Sequence, residues 1–342
     1  MPAFPRPGYF IALAALLGLS LHLCAQWESK LVIYPEGRDL VRAQSSEEED
    51  EEEEEDYAPT VARTEKGVSQ KISRAGGLIV ARYNFINFNK DNIGITFSLP
   101  EADYKKYLAG YGYTDAEMAG LRSWREKARL EAWNAAVKTG GKAAGEKAIA
   151  GVELDYETRM RGLFRSRGLA LRKGNTVECD MPVIVKRNTK MMQALALAIQ
   201  KIAAERKYGS EETTGAVLSL VQTALRYKIP PLVEHGVHTG GLLPPARAML
   251  SGWGDCDTKT GLAASILSSW NTAKMVGVAV PGHYLMAIRR LPAKGDVFVR
   301  HEGLEYVLVE PAGPAWLEPG QVGKRTTELL RGAEGYQLEP FF

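Results

Sequence analysis

Three residues whose types could do covalent chemistry, Cys256, His283 and Glu310, follow one another at intervals of 27 residues in a chain of 342. A thiol attacks carbonyl carbon once a base has taken its proton, and imidazole is the usual base. A carboxylate orients that imidazole and stabilises its protonated form. The local sequence favours the same chemistry. Gly254 and Asp255 precede Cys256, and Leu262, Ile266, Leu267 and Trp270 recur behind it at helical spacing. The pattern predicts a helix beginning close to Cys256, with Asp257 as its N-cap. Unpaired amides and the helix dipole at such an N-terminus favour a thiolate. His283 follows Pro281-Gly282, where a strand begins, and Glu310 closes the run YVLVEP. A cysteine alone is most often a small core residue, and a strand histidine is usually structural. The order helix, strand, strand gives the three a joint weight that none has singly.

Other polar residues could complete such a site. Gln222 can offer a side-chain amide to an oxyanion, and Trp253 an indole N–H or a cleft wall, although a surface or packing role accounts for either better. Asp255 and Asp257 flank the thiol; helix capping explains them better than calcium, the one cofactor the pair could take. His235 and His238 (HGVH) form no zinc set, having no third ligand at suitable spacing, and His301 stands in a separate turn. Cys179, inside a strand-like run, reads as buried. The chain has three cysteines and no CxxC, so neither a disulfide framework nor a structural zinc site is expected. No phosphate-binding glycine motif occurs.

The elements that must position these residues change character along the chain. After Trp270 the pattern has period 2: MVGVAV, HYLMAI, VFVR and YVLVEP, separated by PG, AKGD and HEG turns, read as an antiparallel meander whose neighbouring strands bring His283 and Glu310 together. Thr213 to Tyr227 reads as an amphipathic helix, and Lys190 to Lys207 as another. VECDMPVIV reads as a buried strand. Further back, Leu154 to Arg165 and Asp115 to Val137 read as helices around the glycine-rich TGGKAAGEKAIAG, taken as a loop or frayed end. A helix start falls at Pro100 to Ala102. GGLIVARYNFINFN and NIGITFSLP read as two strands, with order resuming near Gly76. Helices followed by paired strands make the fold class α+β.

The nucleophile segment GDCDTKTGLAASIL, the histidine strand GHYLMAI, the acidic strand YVLVEPAG and the preceding helix VLSLVQTALRY together resemble the transglutaminase-like superfamily of papain-like fold, in particular its secreted bacterial cysteine-protease and amidase members. The resemblance covers about a third of the chain, roughly Thr213 to Val322. It implies a nucleophile helix packed on an antiparallel sheet, with an additional N-terminal α/β region. It also implies roles: Cys256 as nucleophile, His283 as base, Glu310 as orienting carboxylate. The family more often carries Asp at the third position, and Glu is one methylene longer. The glutamine of papain-like enzymes is what suggests Gln222 as an oxyanion donor.

Composition sets the outer frame. A quarter of the residues are charged and 45% are hydrophobic, too polar for a polytopic membrane protein. The net charge of +2 conceals an asymmetry: Glu47 to Asp56 are all acidic, and setting those ten aside leaves 31 acidic residues against 43 basic. No nucleic-acid partner is expected from this surplus alone. Arg6 precedes an apolar stretch from Tyr9 to Ala25, which reads as a cleaved secretory signal, an uncleaved membrane anchor or, acylated at Cys24, a lipoprotein signal. Each places the remainder outside the cytoplasm, periplasmic or on the cell envelope. The resulting division is 1–25 signal or anchor, 26–75 disordered acidic linker, 76–208 mixed α/β region without assignable chemistry, and 209–342 catalytic domain. The expected activity is a thiol hydrolase cutting, or transferring, amide bonds of a protein or peptide. The competing expectation is a non-catalytic envelope binding module of the same fold.

Overall fold

The computed structural model describes residues 61–65, 67–172, 176–270, 273–313 and 316–342. The apolar N-terminal stretch, Cys24 and the acidic run lie outside the described residues. Among the described residues no helix is long and apolar enough to cross a membrane.

Alternation of buried and exposed positions builds the first sheet. Strands β1 (Val61–Glu65), β2 (Val68–Ala75), β3 (Leu78–Ile86) and β4 (Asn92–Pro100) pair antiparallel in chain order. Residues 61–75 were expected in the linker, and they supply two of these strands. The alternation of β2 is masked in the sequence by Gln70, a polar residue at an inward position between Val68 and Ile72. Its burial is possible because its amide donates to the Tyr83 hydroxyl at 2.6 Å and to the Met249 carbonyl at 3.0 Å.

Helix α1 (Glu101–Leu108) starts where Pro100 predicts. After the two-residue strand β5 (Tyr113–Thr114), a capping box between Thr114 and Glu117 opens α2 (Asp115–Ser166). This element is two helical arms folded on each other. Gly141 leaves helical geometry at φ 67°, ψ −165°, a conformation open to glycine. Glu153 pairs with Arg125 at 2.8 Å, the Arg159 guanidinium lies 4.1 Å from the centre of the Trp124 ring, and a Cβ on Gly145 would fall 2.6 Å from Trp133. These pairs straddle Gly140-Gly141, so the arms run antiparallel. The expected loop is reduced to that single turn, because the Ala- and Lys-rich residues after it are strong helix formers.

Strands β6 (Leu169–Leu171) and β7 (Val177–Cys179) form a small ribbon. The strand expected across VECDMPVIV stops at Cys179. Asp180 accepts the Val183 amide at 3.2 Å as N-cap, and Pro182 sits in the first turn, so Met181–Arg206 is helical (α3). Helix α4 (Ser210–Ala224) follows, then β8 (Arg226–Tyr227), β9 (Val233–Glu234), β10 (Val237–His238), α5 (Pro245–Ser251), β11 (Trp253–Gly254) and α6 (Cys256–Ser268).

The last sheet contains β12 (Met275–Val280), β13 (His283–Arg289), β14 (Phe298–His301), β15 (Leu304–Val309) and β16 (Gln337–Pro340), with α7 (Lys324–Arg331) between the last two. Its spatial order is β14-β15-β13-β12-β16. Sequential meander order is therefore broken: β14 moves to the edge, and β15 pairs directly with β13. One hydrophobic core joins β2–β4, helices α3–α6 and Met286 and Val309 of the last sheet. The helices form a layer between the two sheets. Residues 76–208 and 209–342 thus share a core rather than folding around separate ones. The architecture is mixed α+β with antiparallel sheets.

Candidate active site

Helix α6 presents Cys256 as its first residue. Asp255, extended at φ −86°, accepts the Thr258 amide at 3.0 Å. Asp255 rather than Asp257 is therefore the N-cap, since only a residue outside the helical turn can fold its side chain back onto those amides. Asp257 lies within the first turn, 2% exposed, with Oδ1 4.0 Å from the Cys256 sulfur. The first twelve residues of α6, Cys256 through Leu267, are all buried, the thiol residue at 5% exposure. Cys256 packs with Met181, Ile184, Leu242 and Tyr284, in a cluster that also contains Cys179. Neither Cys179 nor Cys256 is in a disulfide, and the Cys179 thiol donates to the Gly240 carbonyl at 3.1 Å.

His283 and Glu310 meet as the sequence predicts. Imidazole Nε2 lies 2.9 Å from Oε1 and 3.1 Å from Oε2 of the carboxylate. The side chains are 18% and 5% exposed. A carboxylate can only accept here, so Nε2 is the donor nitrogen and Nδ1 is the one left for another partner. Thr326 of α7 donates its hydroxyl to Glu310 Oε2 at 2.8 Å, which fixes the longer side chain in place. Sequence reading gave no hint of Thr326, because it arrives from a helix on the far side of the sheet.

His283 and Glu310 meet at one end of the last sheet. His283 begins β13, Glu310 follows the last residue of the antiparallel β15, and the first turn of α6 packs there. Thr260, one turn beyond Cys256, donates its hydroxyl to the Tyr284 carbonyl at 3.2 Å. This bond ties the nucleophile helix to the residue next to His283.

Gln222 has a different role from the one its chemistry suggested. Its amide donates to the carbonyls of Glu310 at 2.8 Å and Leu317 at 2.9 Å, and its Oε1 accepts the Leu317 amide at 3.1 Å. It pins the segment after β15 and holds Glu310 by its backbone. Trp253 is half-buried two residues before Asp255, with Lys228 Nζ 5.4 Å from its ring centre. His238 bonds Asp115 at 3.0 Å and stacks on Tyr113, a structural contact at the base of α2, and His301 lies edge-on to Tyr306. His235 occupies a turn at φ 48°. Among the described residues no group of three or more His, Cys, Asp or Glu could hold a metal.

The approach to the thiol is braced from three directions that sequence reading missed. Gln70 bonds the Met249 carbonyl at 3.0 Å and crowds Gly252, whose φ of 74° turns α5 into β11. Lys259 is fully buried within α6 and donates to the Leu225 carbonyl at 2.6 Å. Its signal in the sequence was a lysine at a core-facing position of an apolar helix. Strand β8 pairs in parallel with β11, Tyr227 opposite Gly254, so Tyr227 stands beside the turn that delivers Cys256. Tyr227 itself is 46% exposed. Burial first, then the charges of Cys256 and Asp255, raise its pKa far above the usual phenol value. The Tyr284 hydroxyl donates to Glu339 at 2.7 Å, and burial, followed by that carboxylate, likewise raises its pKa.

No protein-family model matches the chain, no curated protein matches its sequence, and no solved structure matches it.

Proposed function

We propose that the chain is a transglutaminase-like cysteine hydrolase of papain-like fold, acting outside the cytoplasm on amide bonds of a protein or peptide. The observation that carries this reading is the buried His283–Glu310 pair, Nε2 to Oε1 2.9 Å, locked by Thr326 at the sheet end where the Cys256 helix begins. A histidine–carboxylate pair this enclosed leaves Nδ1 as the basic nitrogen. Cys256 occupies a helix N-terminus, where the first four amides lack intrahelical acceptors.

The reaction follows from these groups. His283 Nδ1 takes the thiol proton as the sulfur attacks the substrate carbonyl, and the developing imidazolium is held by Glu310. Amides at the start of α6 are the donors available to the oxyanion, since Gln222 is committed elsewhere. The C–N bond breaks as His283 returns the proton to the leaving amine. Water then attacks the thioester, giving its proton to His283, and the acid product departs as the thiol is re-formed. An amine in place of water would make the step a transamidation.

Mass spectrometry after incubation with a peptide library tests this. A thioester adduct on the peptide containing Cys256, absent from Cys256→Ala, is expected. No adduct at any pH between 5 and 9, with a folded protein, overturns it. One observation favours the second reading, a non-catalytic binding module: Gln222, the side chain expected to serve an oxyanion, instead bonds backbone carbonyls.

A further inference from the structure

A cavity of about 340 Å³ opens where helix α1 and the turn after it meet α3, lined by Asp103, Lys106, Tyr107, Gly110, Tyr111 and Arg187. Its volume falls at the lower end of the range for small-molecule sites, about 300–1,000 Å³. The Arg187 guanidinium is fixed at the wall. Its Nη2 donates to the Gly110 carbonyl at 2.8 Å, and its carbon lies 4.6 Å from the centre of the Tyr111 ring. A Cβ on Gly110 would fall 3.0 Å from Nη2, so glycine is what allows that approach. Nη1 is buried and, among the described residues, has no hydrogen-bond partner. A guanidinium is always charged and has donors only, so a buried nitrogen left without an acceptor is costly. We infer that this cavity binds a small carboxylate with a flat apolar body, its acid group taken by Arg187 and Lys106 and its body laid on Tyr107 and Tyr111.

Each part of such a ligand answers a feature of the walls. The Tyr107 and Tyr111 rings, 4.9 Å apart and tilted by 60°, supply the apolar surface. Their hydroxyls are tied down behind it. Tyr107 donates to Asn188 Oδ1 and accepts the Ala246 amide at 3.2 Å, and the Tyr111 hydroxyl accepts from Asn188 Nδ2. Asn188 is 0% exposed and also donates to the Ile184 carbonyl at 2.7 Å. The aromatic wall is thus set before a ligand arrives, which spares part of the ordering cost of binding. Burial raises the pKa of both phenols, so they stay neutral beside an anion. The charges lining the cavity are two cations, Lys106 and Arg187, and one carboxylate, Asp103. That balance suits a single negative charge, whereas a doubly charged phosphate is repelled by Asp103 with no third cation to offset it. The inference is independent of the reading of Cys256 as a nucleophile.

Isothermal titration calorimetry of the full chain with phenylacetate tests it. One saturable site is expected, with neutral phenylacetamide and inorganic phosphate each weaker by about tenfold or more. Arg187→Met keeps the apolar stem and removes the fork, and should weaken phenylacetate by roughly tenfold or more. Lys106→Gln, at an exposed position of α1, should cost about two- to fivefold. Asp103→Asn, also exposed, removes the opposing charge and should tighten binding by a similar factor, about two- to fivefold. Cys256→Ala should bind like wild type. No saturable binding up to about 10 mM overturns the inference. So does binding that Arg187→Met and Lys106→Gln both leave unchanged, since the probe then sits elsewhere, and so does its loss in Cys256→Ala. Phosphate binding more tightly than phenylacetate overturns the carboxylate assignment. If circular dichroism shows that Arg187→Met does not fold, the two exposed variants decide through their opposite signs, and no change in either overturns the inference.

Discussion

Helices α2 and α6 share a backbone conformation and almost nothing else. Of the 52 residues of α2 only Gly145 and Phe164 are buried, whereas in α6 every residue from Cys256 to Leu267 is. The arms of α2 hold each other through a seam that includes Trp124, Trp133 and Tyr156, with Arg125 and Glu153 bridging its edge. Helix α6 has no exposed face from Cys256 to Leu267; it is enclosed by α3, α4, α5 and β13. The difference teaches where precision resides. A helix packed on every side cannot tilt or slide without losing many contacts at once, so its first residue is held in register with the sheet. A two-arm hairpin on the surface needs only its own seam, and tolerates change along its outer face.

The largest effects should fall on the buried side. In a nucleophile–base pair that works as a unit, Cys256→Ala and His283→Ala should each lower amide turnover by about 10⁴-fold or more, with the double variant barely worse than either. Additive losses would separate the two residues into independent roles. Next in size is packing. Leu262→Ala, at 0% exposure in α6, should cost about 2–5 kcal/mol in denaturant unfolding, because the enclosing elements cannot collapse into the cavity. A cost below about 1 kcal/mol would break the comparison by showing the layer to be plastic.

Smaller effects sharpen it. Glu310→Gln keeps the shape and removes the charge that stabilises imidazolium, and should lower turnover on the order of tenfold or more. Thr326→Val, which removes one hydrogen bond to that carboxylate, should cost a few-fold, consistent with about 1 kcal/mol. Equal losses would mean that Thr326 carries more than orientation. Glu310→Asp tests whether the site has adapted to Glu: with Thr326 fixed by α7, the shorter side chain should lose one of its two partners and slow the reaction. The smallest effect belongs to the hairpin's outer face. Leu130→Ala, at 63% exposure, should change stability by no more than about 0.5 kcal/mol, against the several expected for Leu262→Ala.

Much of the site was legible in the residues themselves because its signals are local. The start of α6 follows from Gly254 and Asp255 before Cys256 and helical spacing behind it, although the cap is Asp255 and not the expected Asp257. The strands carrying His283 and Glu310 follow from period-2 patterning between glycine turns, and the observed β12, β13, β14 and β15 keep close to those runs. Local signals failed where a contact arrives from elsewhere. VECDMPVIV looks like a strand until Asp180 caps a helix packed against α6. TGGKAAGEKAIAG looks like a loop until Trp133 covers Gly145. Residues 61–75 look like linker until Gln70 finds its partners at the end of α5.

By itself, the sequence determined the α+β class, the helix that opens at Cys256 and the strands that carry the imidazole and the carboxylate, because periodicity, caps and turns act over a few residues. Only the tertiary structure decided that β15, not β14, lies beside β13, so that Glu310 reaches His283. It also decided that Thr326 locks the pair and that Gln222 serves the backbone of Glu310 and Leu317. Strand order and side-chain partnership depend on which distant surfaces can be buried together with all their polar groups bonded. That condition is met by the assembled core and is encoded in no single stretch of chain.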